Sequence, residues 1–245
     1  MRQYKKNDPL SYALGMTLTF ELIKYHPEQI RDVYFHSKLR ENEHTDRLVK
    51  TLSTLGISIQ VQDKIFNVLS PKNNCFVIAS FAKYETTLDV TASHLVLVEP
   101  ENAGNLGTII RTALGFGICN MVLIGNHVDP FDPKTIRASM GAIFGVHCTS
   151  FDTFSNYQAH ALNHHYYPFM LQSNHLLGNE PIQAPYSLIF GPESKGLDAS
   201  YLSIGTPLRI AHTHAIDSLN LTNATSIALY EATRLHYLKA EGIHE

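Results

Sequence analysis

Residues 94–125 have the sequence HLVLVEPENAGNLGTIIRTALGFGICNMVLIG and carry the strongest fold signal in this 245-residue chain. The run 94–98 is rich in Leu and Val, which is typical of a buried parallel strand. A turn rich in Gly and Asn follows, and apolar residues then recur at helical spacing over 106–114 until Gly115 and Gly117. A second apolar run at 121–125 completes the pattern. The stretch therefore predicts two parallel strands joined by a crossover helix.

The same alternation continues through the rest of residues 94–245. We predict further strands at 145–148, 166–171, 187–191 and 207–210, and helices at 134–143, 153–164 and 219–238. Strands that alternate with helices indicate a mostly parallel sheet covered on both faces. The predicted fold class is therefore α/β.

A smaller α/β unit is predicted in residues 1–90. Helical stripes run from Leu14 to Ile23 and from Leu48 to Leu55, and the second ends at Gly56. Strands are predicted at 30–35, 57–61 and 75–81, with a short helix at 64–69. The polar segment 83–93 is interpreted as a linker. We therefore expect two domains, 1–90 and 94–245, both of ordinary size.

The composition is that of a globular protein, with 44% hydrophobic and 17% charged residues, and it excludes collagen-like, coiled-coil and disordered chains. The net charge of −3 argues weakly against a nucleic-acid partner. However, residues 1–90 hold 12 Lys and Arg against 10 Asp and Glu, whereas the remainder holds 7 against 12. The acidity therefore belongs to the second unit, and an RNA footprint is expected on the first.

The cysteines and the amino-terminal segment both bear on localisation. Cys75, Cys119 and Cys148 are odd in number and lack C-x-x-C spacing, so neither a disulfide framework nor a cysteine zinc site is indicated. Segment 12–20 is interrupted by Gly15, Thr17 and Thr19, so it is too polar for the apolar region of a signal peptide. It is also too short to span a bilayer. We expect a cytoplasmic protein without a membrane segment.

Three short segments of the second unit join strand ends to small or polar residues, where ligands bind in open α/β sheets. In the first, 99–113, Arg111 follows Asn105 by six residues. By itself this also fits a capped helix start with an exposed arginine. A nucleotide cradle is the rival interpretation, but G-x-G-x-x-G and G-x-x-x-x-G-K-[ST] are both absent.

The other two segments are moderate signals when taken alone. In residues 188–197 a buried strand ends at Gly191, and Glu193 follows it at a position where a ligand could bind. The same residues fit an ordinary strand followed by a turn. Residues 216–224 lead into the last helix, and Asp217 or Ser218 could simply be its N-cap.

Together, in this order, the three segments resemble the motifs of the SpoU-type (TrmH-like) RNA 2'-O-ribose methyltransferases of the SPOUT superfamily. Residues 105–111 match N-x-G-x-x-x-R, residues 191–196 match G-x-E-x-x-G, and residues 218–220 match S-L-N before a helix. The resemblance covers residues 94–238. Residues 1–90 are similar to the L30e-like substrate-binding domain that often precedes this catalytic domain.

The resemblance implies a deep trefoil knot, a homodimer that completes the site, and S-adenosyl-L-methionine as the cofactor. It implies that Arg111 is catalytic and that Asn105, Glu193, Ser218 and Asn220 shape the site around it. Gly191, Ile210 and Leu219 would contact the cofactor, largely through backbone groups. Phe190 and Ile189, at the end of the strand before Gly191, complete the predicted cofactor-binding set.

The implied reaction is methyl transfer to a ribose 2'-OH of structured RNA, without a metal. Ribosomal RNA is favoured over tRNA because an L30e-like leader is common in enzymes that modify rRNA. The alternatives are a tRNA 2'-O-methyltransferase and a knotted RNA-binding protein without catalysis. Retention of Arg111, Glu193 and Asn220 argues against the latter. Basic residues that could contact RNA are Lys5, Lys6, Arg31, Lys38, Arg40, Arg47 and Lys50.

Two remaining features concern the chemistry. The pairs His212 with His214 and His164 with His165 could suggest metal binding, but two histidines alone make an incomplete site. A guanidinium with a pKa above about 12 does not give up its proton in a protein. We therefore hypothesise that Arg111 donates hydrogen bonds to a phosphate or to the 2'-oxygen and stabilises the developing alkoxide.

Overall fold

The computed structural model describes residues 4–70, 74–179, 181–213 and 215–240. The strands and α-helices described in the amino-terminal unit are β1 (Leu10–Leu14), α1 (Met16–Tyr25), β2 (Ile30–Phe35), α2 (Glu43–Thr54), β3 (Ile59–Val61), α3 (Asp63–Leu69) and β4 (Val77–Ala82), and a 3-10 turn at Pro27–Gln29 precedes β2. Its four-stranded sheet has the order β1-β4-β2-β3. Only β2 and β3 pair in parallel.

The second unit is built on a five-stranded sheet of order β7-β6-β5-β9-β8, and all of its pairings are parallel. The strands are β5 (His94–Val98), β6 (Asn120–Ile124), β7 (His147–Phe151), β8 (His165–Pro168) and β9 (Tyr186–Phe190). The helices are α4 (Ala103–Gly115), α5 (Pro133–Ala138), α6 (Phe154–Gln158) and α7 (Leu221–Ala240). The predicted α/β class and parallel sheet are confirmed.

Several predicted elements differ from the structure. The helix predicted at 134–143 is divided into α5 and a 3-10 turn at Ala142–Gly145. Met140 and Gly141 adopt positive φ angles of 53° and 85°, which end the helix because the left-handed region is incompatible with its continuation. The helix predicted at 153–164 is the short α6, and the strand predicted at 166–171 begins at His165 and ends at Pro168.

Two predictions near the sheet edges were wrong. Residues 207–210 form no strand; Leu208 and Arg209 make only isolated parallel bridges, with Phe169 and Leu176. The interpretation of the amino-terminal unit also missed β1, because its apolar residues run without a break into the helical stripe of α1. Gly15, at φ 118°, separates the two elements.

The apolar core is continuous between the two sheets. One cluster joins Leu22 and Phe81 of the amino-terminal unit to Leu97, Ile109 and Phe144 of the second unit. A second cluster, which includes Val96, Ile189 and Tyr157, covers the other face of the parallel sheet. In the described ranges, no helix combines the length and apolar character needed to cross a bilayer.

Candidate active site

We number the three matching segments motif 1 (105–111), motif 2 (191–196) and motif 3 (218–220). Motifs 1 and 2 meet because β5 and β9 are neighbouring parallel strands, so their carboxyl ends lie side by side. Glu193 joins them: its Oε1 accepts a hydrogen bond from Asn105 Nδ2 at 2.9 Å, and its Oε2 accepts one from the backbone N–H of Glu101 at 3.4 Å. Ser194 Oγ donates to Glu101 Oε1 at 3.1 Å. The loops after the two strands are therefore held together by side chains of both motifs.

Motif 2 is a tight loop that requires glycine. A Cβ atom on Gly191 would lie 2.3 Å from the carbonyl carbon of Gly196, and no real Cβ contact is that close. Gly196 has a φ of 69° and donates its N–H to the carbonyl of Pro192 at 3.0 Å. The spacing G-x-E-x-x-G thus reflects one loop folded back onto its own first residue.

The glycine of motif 1 has a packing role. A Cβ on Gly107 would lie 2.5 Å from the carbonyl oxygen of Thr135 and 2.6 Å from the Cβ of Ala138. Gly107 therefore allows α4 to pack closely on α5. At the start of α4, Asn102 caps the helix by accepting from the N–H groups of Gly104 and Asn105 at 2.8 and 3.1 Å.

Motif 3 begins α7, and the N-cap is neither Asp217 nor Ser218. Asn220 Oδ1 accepts from the N–H of Thr222 at 2.9 Å and from its hydroxyl at 2.5 Å, and the Asn220 carbonyl accepts from Ala224 N–H. Asn220 is thus the capping residue. Ser218 is exposed and Leu219 is half-buried in the turn before the helix.

A cavity of about 540 Å³ lies where motifs 2 and 3 face each other. Seven of the predicted site residues contribute to its lining: Phe190, Gly191, Glu193, Ile210, Ser218, Leu219 and Asn220. The structure thus brings together segments that are about 20 residues apart in sequence and places them around one concave surface.

Three predicted residues lie outside this cavity. Ile189 is fully buried in the core beneath it, so a direct contact with a ligand is not available to this side chain. Asn105 reaches the site only through Glu193. Arg111 is exposed on α4 and makes no hydrogen bond or ion pair with any residue that the structure describes.

Among the cavity residues that the motifs did not predict, Phe169 and Arg209 stand out for their chemistry. Phe169 stacks on Phe190 with a centroid distance of 4.4 Å and an interplanar angle of 10°, and both rings line the cavity. Arg209 also lines it and donates from Nε to the Ser173 carbonyl at 3.2 Å. The sequence signals were an aromatic residue just after β8 and a cation directly before Ile210.

The segment 206–209 lies between two other stretches of chain. Thr206 and Leu208 donate their N–H groups to the carbonyls of Tyr166 and Pro168, and Met170 N–H donates to the carbonyl of Leu208. On the other side, Arg209 N–H donates to His175, and Leu177 N–H donates to Arg209. These bonds fix the backbone that leads into Ile210, although the segment forms no regular strand.

The described histidines of the two pairs are His164, His165 and His212. No group of three or more His, Cys, Asp or Glu side chains in that part is arranged to hold a metal ion. His164 uses both ring nitrogens, with Ser187 Oγ at 2.9 Å and the Val90 carbonyl at 3.0 Å. His212 donates to the carbonyl of Thr213, and His214 lies outside the described residues.

The cavity lies at the carboxyl ends of parallel strands, which is where α/β proteins with open sheets bind small molecules. The chain belongs to the SpoU rRNA Methylase family, whose model matches residues 92–230. This match covers all three motifs and most of the second unit.

Relatives in this family are similar over the same region. The chain is 32% identical over 143 residues to an uncharacterized tRNA/rRNA methyltransferase from Synechocystis, covering 57% of this chain and 52% of that protein. It is 31% identical to a tRNA (cytidine(34)-2'-O)-methyltransferase from Yersinia pestis, covering 58% and 92%. A 23S rRNA (uridine(2479)-2'-O)-methyltransferase from Streptomyces viridochromogenes is 27% identical, with 55% and 50% covered. The chain thus spans about half the length of the first and third of these relatives.

Solved structures share the fold of both units. The AdoMet-bound rRNA methyltransferase from Sinorhizobium meliloti superposes with a TM-score of 0.79 at 24% identity, covering 93% of this chain and 88% of that one. The SpoU methyltransferase AviRb from Streptomyces viridochromogenes, in complex with AdoMet, gives 0.80 at 18% identity, covering 94% and 91%. The SpoU fold is therefore confirmed for this chain.

Proposed function

We propose that this protein transfers a methyl group from S-adenosyl-L-methionine to a ribose 2'-OH of structured RNA, with ribosomal RNA favoured. The observation that supports this most directly is the cavity formed by Gly191, Ile210 and the Ser218–Asn220 turn, joined to motif 1 through Glu193. The relatives named above as 2'-O-methyltransferases act on rRNA or tRNA.

The cavity fits the proposed cofactor in size and in chemistry. Its volume lies within the range of about 300–1,000 Å³ that is usual for small-molecule sites. The stacked Phe169 and Phe190 offer an apolar wall, and Gly191 lines the cavity directly after Phe190. Gly191, Ile210 and Leu219 would hold the cofactor, which supplies an electrophilic methyl group on its sulfonium.

The catalytic contribution of this chain is positioning and electrostatics. Arg111 would donate from its guanidinium to a phosphate or to the 2'-oxygen and stabilise the alkoxide that develops there, while the 2'-OH proton leaves through water or a neighbouring group. Glu193 fixes Asn105 and the loop after β5, and Asn220 fixes the start of α7. No step requires a metal or a covalent intermediate with the enzyme.

The proposed enzyme is a homodimer. Arg111 lies six residues after Asn105 on α4, about 9 Å further along the helix and a third of a turn around it. Its exposed side chain therefore faces away from the group that Asn105 contacts. A second copy packed on this face would bring Arg111 to the partner's cavity. The trefoil knot also stays a prediction of the resemblance.

RNA recognition is assigned to the amino-terminal unit, the proposed substrate-binding domain. Arg31, Lys38, Arg40, Arg47 and Lys50 are all exposed on it. Such residues provide phosphate contacts, which give affinity without sequence choice. We place the reaction in the cytoplasm, where the free thiols of Cys75, Cys119 and Cys148 would stay reduced.

A pair of measurements tests the proposal. Calorimetry of the full chain should show binding of S-adenosyl-L-methionine, and absence of binding would favour a non-catalytic RNA-binding protein. Ribose-methylation mapping of total RNA, with and without the intact gene, should reveal a lost 2'-O-methyl site. Loss at a tRNA position would support the alternative substrate that the Yersinia pestis relative suggests. An unchanged map would contradict the proposed activity.

A further inference from the structure

The contacts between the two units centre on the buried carboxylate of Asp129, in the loop after β6. Its Oδ2 accepts from Lys83 Nζ at 2.6 Å and from the Tyr4 hydroxyl at 2.5 Å. Its Oδ1 accepts from the backbone N–H of Phe131 at 2.8 Å. Lys83 also donates to the Lys6 carbonyl at 2.6 Å. We call Tyr4, Lys83 and Asp129 the latch, because they join the amino-terminal unit to the second unit.

Apolar packing surrounds the latch. Phe81 of β4 makes edge-to-face contacts with Phe131 and Phe144, at centroid distances of 5.9 and 5.4 Å. Two glycines make room for α1: Cβ atoms at Gly141 and Gly145 would lie 2.8 Å from Glu21 Cβ and 2.9 Å from Tyr25 Cζ. The two units therefore share one interior rather than touching at a point.

Backbone carbonyls of the second unit accept further hydrogen bonds across the same boundary. Ser11 Oγ donates to the Phe131 carbonyl at 2.5 Å, and His26 Nε2 donates to the Phe144 carbonyl at 3.0 Å. Each of these bonds has a fixed direction, so together they define the relative rotation of the units as well as their contact.

The connecting segment 83–93 is also fixed to the second unit along its length. The Tyr84 ring lies 4.8 Å from Phe131, and Thr86 exchanges hydrogen bonds with Cys148 and Thr149 of β7. The carbonyls of Asp89 and Val90 accept from His94 and His164. A flexible tether would have few such contacts.

Burying two charges at this boundary costs desolvation free energy, which a flexible connection between the units would not require. Asp129 is 9% exposed and the Lys83 side chain 17% exposed, and removing two charges from water offsets much of their mutual attraction. Burial, together with the hydrogen bond to Asp129, raises the pKa of Tyr4, so its hydroxyl keeps the proton that it donates. A buried pair of this kind fixes geometry more than it adds stability.

We propose that the latch holds the amino-terminal unit and the parallel-sheet unit as one rigid body, so that Tyr4, Lys83 and Asp129 are positioning residues for substrate choice. This inference rests on the proposed function. The RNA-contacting surface and the cofactor cavity then lie at a fixed distance and angle. The substrate class is a folded RNA that presents its target ribose and a second contact element at that separation. A flexible single strand does not satisfy the requirement.

The test begins with the distance between the units. Donor and acceptor dyes are attached through genetically encoded azide residues at Val61 and Leu162, which are 71% and 77% exposed, and labelled chain is mixed with excess unlabelled chain. The unmodified protein should give one narrow distance distribution. The double variant Lys83→Met/Asp129→Asn should broaden it, and the milder Tyr4→Phe should broaden it less. A broad distribution in the unmodified protein, or an unchanged one in the double variant, would overturn the proposal.

Kinetics then separate positioning from stability. On total RNA from cells lacking the gene, the double variant should lose about tenfold or more in kcat/KM, mainly through KM. Its affinity for S-adenosyl-L-methionine should be unchanged. Asp63→Ala is the matched control, because Asp63 is exposed and its contacts, hydrogen bonds from Ser37 and an ion pair with His36 at 3.2 Å, lie within the amino-terminal unit.

The distance and kinetic measurements together distinguish a failure of the positioning role from a failure of the proposed function. Broadened distances with unchanged RNA kinetics would overturn the positioning role. Absence of methyl transfer in the unmodified protein would contradict the proposed function and would leave the distance result standing by itself.

Discussion

At the residue scale, the proposed chemistry depends on the hydrogen-bond donors of Arg111. The proposed contribution of Arg111 is the planar set of hydrogen-bond donors that a guanidinium presents. A lysine at the same position would keep the positive charge but would lose the planar arrangement of several N–H donors. The proposed role of Arg111 therefore predicts a different result for Arg111→Lys than a role as general base or as a simple point charge.

We expect Arg111→Lys to lower the single-turnover rate of methyl transfer about 100-fold, because the donors to the developing alkoxide are lost. Binding of S-adenosyl-L-methionine, measured by calorimetry, should not change, since Arg111 lies outside the cavity of its own chain. Near-normal transfer with intact RNA and cofactor binding would refute the hydrogen-bonding role.

A second prediction at this scale concerns two glycines of α4. Gly107→Ala should destabilise the protein by about 1–3 kcal/mol, because the added Cβ overlaps the Thr135 carbonyl. Gly115→Ala is the matched control: no atom lies within 4 Å of its Cβ position, and the change should be neutral or slightly stabilising. Urea unfolding monitored by circular dichroism measures both, and equal effects would mean that helix packing does not set the requirement.

At the element scale, buried polar side chains join β5, α6 and β9. They lie at the amino ends of the two strands, whereas the cavity lies at the carboxyl ends. His94 Nε2 donates to the Asp89 carbonyl, so Nδ1 accepts from the Tyr157 hydroxyl at 2.8 Å. The same hydroxyl lies 2.6 Å from Ser187 Oγ. Burial of His94, with His164 nearby, lowers its pKa to about 4, and burial also lowers the pKa of His164.

These shifts predict acid sensitivity. In the unfolded chain His94 binds a proton below about pH 6.5, whereas in the folded protein it does so only near pH 4. The stabilisation is therefore complete above pH 6.5 and is lost as pH falls toward 4, by up to about 3 kcal/mol for His94. Urea unfolding at a series of pH values checks this.

The variant His94→Asn should show a weaker loss of stability between pH 6.5 and 4 than the unmodified protein. His44→Gln, at an exposed position on α2, is the control for replacing a histidine outside this buried group. Identical slopes in all three proteins would show that His94 does not titrate differently in the folded state.

At the scale of the whole molecule, a shared active site makes catalysis a property of the pair. If the partner's Arg111 serves each cavity, a mixture of Arg111→Ala and Asn220→Ala chains forms heterodimers in which one site is intact. Random association should then restore about a quarter of the unmodified activity, although each variant is inactive by itself. Activity after mixing and renaturation measures this. No restoration would mean that each chain uses its own arginine.

The sequence by itself determined the parallel sheet and the site motifs. The Leu- and Val-rich run of β5, the helical stripe of α4 and the alternation that follows reflect local periodicity, which one chain segment expresses without its neighbours. Gly191, Glu193 and Asn220 were predicted from the resemblance of their short segments to the SpoU motifs, and the structure places all three at one cavity.

Only the tertiary structure decided what lies between these segments. Residues 206–209 form no strand because their hydrogen bonds are divided between two other stretches of chain, and Phe169 enters the site by stacking on Phe190 from a neighbouring strand. The polar segment 83–93 is packed against the second unit because Lys83 meets Asp129, 46 residues away. Contacts at such separations depend on how the whole chain folds, and local sequence patterns do not encode them.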